Sequence, residues 1–190
     1  LEFDNVRFAD LRALHALPKL RHLVIERCEI ADFSALNGLR ELTYLNLDNC
    51  KLREVPAGME LPKLRSFTAS DNKLTDTTFL QSFPLLEEAN LSDNKISDVT
   101  PLAKCRQLRE LNLDHNPITD LSPLKHLPKL TQVAYLHNEK LNELVNESGL
   151  TLATKARYTA SQEEIDRSEK TADIVSKLKQ GDWDFYHSLG

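Results

Sequence analysis

A single interval constrains this chain more than its composition does. In the stretch Leu108 to Leu130, LRELNLDHNPITDLSPLKHLPKL, the apolar positions recur along the sequence at a spacing of 22 residues. One column reads Leu20, Leu42, Leu64, Leu86, Leu108, Leu130. The next reads Leu1, Leu23, Leu45, Phe67, Ala89, Leu111, Val133, and a third reads Phe3, Ile25, Leu47, Ala69, Leu91, Leu113, Tyr135. A unit this short cannot bury its apolar face alone, so the copies must stack side by side and share one core.

The turn column is Val6, Cys28, Cys50, Asn72, Asn94, Asn116, Asn138. With that Asn/Cys column in place, the sequence resembles short leucine-rich repeats of about 22 residues, as in internalins and phosphatase regulatory subunits. The resemblance covers Leu1 to Leu144, and the wording ITDLSPL and ISDVTPL looks most like that consensus. It implies an α/β leucine-rich repeat solenoid, with a curved parallel β-sheet on the concave face and short 3₁₀ or helical turns on the convex face. About seven repeats are expected in residues 1–144, the first incomplete, with strands such as Leu1 to Phe3, Leu45 to Leu47 and Val133 to Tyr135. Residues 145–190 are expected to hold a loop and a C-terminal capping or docking helix.

Composition bounds the partners. The net charge is −5, which argues against a nucleic-acid footprint, and no apolar run approaches the ~18 residues that cross a bilayer. Neither nucleic acid nor membrane is therefore expected as a partner. The chain opens in mid-strand on Leu1 without a signal-peptide pattern, and is expected to be a piece of a longer protein.

All 3 cysteines have a structural explanation. Cys28 and Cys50 take the inward Asn position, where a thiol serves as a small apolar residue with a weak donor, and Cys105 falls in the core column of Leu39, Leu61 and Leu127. There is no CxxC pair, and unpaired buried thiols favour a reducing, intracellular compartment, cytoplasmic or nuclear. Thr100-Pro101-Leu102 and Ser122-Pro123-Leu124 read as a capping hydroxyl followed by a helical turn. Beside them runs a column of acids, Asp10, Asp32, Glu54, Asp76, Asp98, Asp120. Ca²⁺ sites converge their oxygens instead of lining them up, so these acids are read as partners of free N–H groups at the turns.

The remaining strand positions point into solvent on the concave face, because side chains alternate along a strand. Its columns supply the candidate partner-binding residues: His22, Tyr44, Glu88 and Glu110; Asn46, Asn90 and Asn112; Asp48 and Asp114. This polar, amide-rich and acidic surface suits a protein partner with a basic or hydrogen-bonding face. Beyond it, His115 and His137 share a column with Asp93 and Asp71, but nothing supplies a second shell or pocket, so solvated histidines are the reading and no metal site is expected.

After Leu144 the period is lost. Ser161 and Glu164 form a capping box before a helix of about Gln162 to Gln180, ended by Gly181, and Trp183, Phe185 and Tyr186 follow. Its stripe of Ile165, Val175 and Leu178 either caps the last repeat around Leu136, Leu141 and Leu144 or docks another chain. No catalytic motif is present, and the repeats leave no insertion large enough to build a pocket. The expected function is a non-catalytic protein–protein interaction module without a cofactor, serving as a regulatory or scaffold subunit. The alternative is a structural spacer or adaptor domain of a larger protein, whose partner docks on the C-terminal helix.

Overall fold

The computed structural model describes residues 1–135 apart from 9, 10, 31, 32, 56 and 57. Seven strands form one parallel sheet in chain order: β1 (Glu2–Asp4), β3 (His22–Glu26), β5 (Tyr44–Asn46), β6 (Ser66–Thr68), β7 (Glu88–Asn90), β8 (Glu110–Asn112) and β9 (Gln132–Ala134). Each residue pairs with the one 22 positions on, as in Leu45↔Phe67 and Ala89↔Leu111. The period thus becomes the register. From β5 onward the strands open and close one residue earlier than the two Leu columns imply. The outward Asn that ends β5, β7 or β8 bonds the N–H two residues on and turns the chain out of the ladder. A second pair, β2 (Arg7–Phe8) with β4 (Glu29–Ile30), was not legible in the repeat pattern.

The Leu columns are the core: Leu23, Leu45, Phe67, Ile25, Leu47 and Leu91 are fully buried. Bulk is balanced across strands. Phe79 packs edge to face on Phe67 and Phe83, which are tilted on each other, with ring centroids 5.7 to 6.2 Å apart, and the next strand sets small Ala89 beside Phe67. The edge repeat is different, with Leu1, Val6 and Leu17 exposed, so Val6 departs from its otherwise inward column.

Asn72, Asn94 and Asn116 are buried, as their column requires. Asn116 shows how the repeat works: Oδ1 accepts the Ile96 N–H at 2.9 Å, while Nδ2 donates to Leu91 O at 2.8 Å and Leu113 O at 3.1 Å. Cys50 supplies the donor half of that pattern, its Sγ meeting Ile25 O at 3.1 Å. Just before this column the backbone is left-handed at Asn5, Arg27, Asn49, Asp71, Asp93 and His115, with φ between 51° and 55°. Asn, Asp and His tolerate that region best among side-chain-bearing residues, which accounts for most of the column.

Among the described residues five 3₁₀ turns back the sheet: Arg12–Ala16, Ser34–Gly38, Thr78–Ser82, Thr100–Lys104 and Ser122–His126. Their caps correct the sequence reading. The hydroxyl residue is the first residue of the turn, and the acid two positions earlier does the capping: Asp76, Asp98 and Asp120 accept the N–H of Thr78, Thr100 and Ser122 at 3.0, 2.8 and 2.7 Å. Bonds from the Thr100 hydroxyl and N–H hold the Asp98 carboxyl below its ordinary range. Asp76, Asp98 and Asp120 of the acid column therefore serve the turns. Asp10, Asp32, His137, the flank around Leu136, the 145–190 segment and its expected helix lie outside the described residues.

Candidate functional site

Parallel register sets the candidate residues in rows across the solvent face of the sheet. His22, Tyr44, Ser66, Glu88, Glu110 and Gln132 are successive partners, as are Val24, Asn46, Thr68, Asn90, Asn112 and Ala134. At one end of the first row the His22 and Tyr44 rings stack at 5.9 Å with 25° between planes. Desolvation pushes the half-buried Tyr44 hydroxyl up, and the carboxylates of Asp48, Glu26 and Glu88 add to it. The aromatic pair therefore sits in a negative field. Toward the other end, Glu88 and Glu110 are exposed and in direct register, roughly 4.8 Å apart by strand spacing. Neither is in a salt bridge among the described residues. Like charges placed this way oppose folding.

The other five candidates bind their own chain. The Oδ1 atoms of Asn46, Asn90 and Asn112 accept the N–H of Asp48, Ser92 and Asp114 at 2.8, 3.1 and 2.9 Å. Asn46 also donates to Glu26 at 2.7 Å, and Asp48 Oδ1 accepts from Ser70 N at 2.6 Å and from the Thr68 hydroxyl at 2.9 Å. Asn46 and Asp114 are buried, at 6% and 8% exposure, so the expectation that they face solvent is corrected. Strand spacing is close enough for short polar side chains to cover one another. His22, Glu88 and Glu110 are exposed, and Tyr44, Asp48, Asn90 and Asn112 are half-buried.

Further along, His115 Nδ1 lies 3.4 Å from Asp93 Oδ1, and Asn49 Nδ2 donates to Asp71 at 2.8 Å. Among the described residues no group of three or more His, Cys, Asp or Glu side chains could hold a metal ion. None of their helices is long and apolar enough to cross a membrane.

One surface escaped the sequence reading. Each strand of the seven-stranded sheet from β3 onward is preceded by a two-residue turn, a Leu of the first column and one opening residue. These positions carry Lys19, Lys63 and Lys129; Arg21, Arg65 and Arg109; and Arg40 and Arg106, all exposed. Only Glu41 and Glu87 oppose them. Composition hid this rim because the chain as a whole is acidic, although the same 22-residue columns would have shown it.

Comparison with known proteins agrees with this architecture. A family profile described as Leucine Rich repeats (2 copies) matches residues 84–126, and one for a single Leucine Rich Repeat matches residues 41–60. Among solved structures, an internalin (inlF) of Listeria monocytogenes is 25% identical, with a TM-score of 0.57 over 77% of this chain and 50% of its own. Internalin C2 (inlC2) of the same organism is 24% identical, with a TM-score of 0.51 over 77% of this chain and 76% of its own. A leucine-rich repeat protein of Leptospira interrogans is 21% identical, with a TM-score of 0.64 over 77% of this chain and 40% of its own. The chain thus spans half or less of two of these three structures. No curated protein sequence matches. Residues 41–60 and 84–126 thus match leucine-rich repeats and the fold is that of a leucine-rich repeat solenoid; leucine-rich repeat proteins generally mediate protein–protein interaction.

Proposed function

We propose that this chain is a non-catalytic interaction module that takes a basic segment of a protein partner on the solvent face of its sheet. One observation carries the reading. Glu88 and Glu110 stand exposed and in register, with no counter-ion among the described residues, in the same row as the stacked His22 and Tyr44. A lysine or arginine from a partner would relieve that repulsion, and a cation could also lie against the Tyr44 ring. The module acts as a regulatory or scaffold subunit in a reducing, intracellular compartment, a reading supported by three buried, unpaired thiols.

Selection from a random peptide display library tests this, because it lets the surface choose its own ligand. Peptides rich in Lys and Arg should be enriched by the native chain and lost with Glu88→Lys/Glu110→Lys. Enrichment of neutral or acidic peptides that survives this double variant would move the site elsewhere.

A further inference from the structure

The basic rim has no part in that reading. The chain carries −5 overall, yet eight cations face two acids along the rim. The adjoining sheet face carries Glu26, Asp48, Glu88, Glu110 and Asp114 and no Lys or Arg. The sign therefore changes within one residue, as at Arg109 and Glu110. The rim is also continuous. Arg21 O accepts from Thr43 and Tyr44, Arg65 O from Glu87 and Glu88, and Arg109 O from Thr131 and Gln132, so the columns advance at strand spacing.

Its own acids neutralise only part of it. Glu41 takes Lys63 at 2.7 Å, and Glu87 pairs with Arg65 and, at 3.9 Å, with Arg109. Among the described residues no salt bridge engages Lys19, Arg21, Arg40 or Arg106. Into the middle of this charged rim the fourth repeat places Leu85, 38% exposed where other repeats carry Lys, Glu or Gln.

We propose that this rim is a second docking surface, and that it takes an acidic protein segment with an apolar side chain seated on Leu85. Charge complementarity gives the sign of the partner. Three features favour a protein over a phosphate polymer. None of the turn and opening positions is aromatic, so no ring there offers a base a stacking platform. Glu41 and Glu87 interrupt the cations at intervals, which suits discrete carboxylates better than a continuous phosphate backbone. Leu85 offers contact to a side chain and none to a phosphate.

Fluorescence anisotropy on the full chain tests this at low salt, with a labelled peptide of a leucine pair flanked by glutamates as the probe. Binding should weaken about tenfold in Lys19→Glu/Arg40→Glu/Arg106→Glu and with added salt. Leu85→Ser should weaken it several-fold while leaving the salt dependence unchanged; it also serves if the triple variant fails to fold. Glu88→Gln/Glu110→Gln should bind the acidic probe as well as or better than the native chain, which separates this surface from the sheet face. Absence of binding by the native chain overturns the proposal, as does undiminished binding by both rim variants. Tighter binding of an oligouridylate, or capture by anionic vesicles, would overturn it in favour of a nucleic acid or a membrane.

Discussion

The side chain of Asn94 closes on the backbone of Leu74, 20 residues earlier: its Oδ1 accepts the Leu74 N–H at 2.9 Å. Its Nδ2 meanwhile donates to Ala69, Leu91 and Ser92 carbonyls at 2.8 to 3.0 Å. One buried amide thus joins two repeats. Asn94→Leu strands those groups away from water and should cost about 1–3 kcal/mol or more in denaturant unfolding. Asn94→Cys should cost less, since Cys50 shows a thiol making part of the same pattern. Equal losses for both variants would show that the thiol is no substitute.

Thr77 makes the opposite case. It is fully buried in a column that otherwise holds apolar residues such as Val55 and Val99, and its hydroxyl has no hydrogen-bond partner. Burying an unpaired hydroxyl is unfavourable, and valine has nearly the same shape. Thr77→Val should raise stability by about 1 kcal/mol, read as a higher denaturant midpoint with an unchanged slope. A loss of stability would mean that the hydroxyl contributes to the fold.

The fold was legible because periodicity alone states which residues share a layer, and parallel pairing at 22-residue offsets turns that statement into register. The site was less legible for a physical reason. Alternation along a strand says that Asn46 and Asp114 point away from the core, but not that their neighbours then cover them. Nor does it separate an Asn offered to a partner from an Asn bonding the N–H two residues on, as Asn112 does for Asp114. The capping acids were assigned correctly because the need for them is local: Asp98 lies two residues from the N–H it accepts. The rim went unread because net charge averages over surfaces that the fold keeps apart.

The buried position of Asp114 changes how the sheet face should be probed. A charge reversal that includes it would place a lysine where only 8% of the surface is exposed, and lost binding would then report unfolding. Glu88→Lys/Glu110→Lys avoids this. For a basic peptide selected as above, that pair should slow association and flatten its salt dependence, while Tyr44→Ala should mainly raise the off-rate. Stopped-flow measurements on both variants separate the roles, and unchanged rates in both would exclude this face.

Buried thiols give the fold a defined alkaline limit. Burial pushes Cys50 and Cys105 up to about 11, from an ordinary value of 9.0. In the folded chain both thiols keep their protons up to that pH, whereas the unfolded chain releases them near 9. Between these values the unfolded state binds fewer protons, so stability must fall as pH rises. The contribution is fully present below pH 9 and lost as pH passes about 11. The comparison that isolates the thiol is Cys105→Val, which should flatten the fall in denaturant midpoint across this window. At pH 8 the same two thiols should react with a water-soluble thiol reagent far more slowly than in the unfolded chain, because both are protonated and buried. Rapid modification of the native chain, or an alkaline slope unchanged in Cys105→Val, would show that its burial does not set this limit.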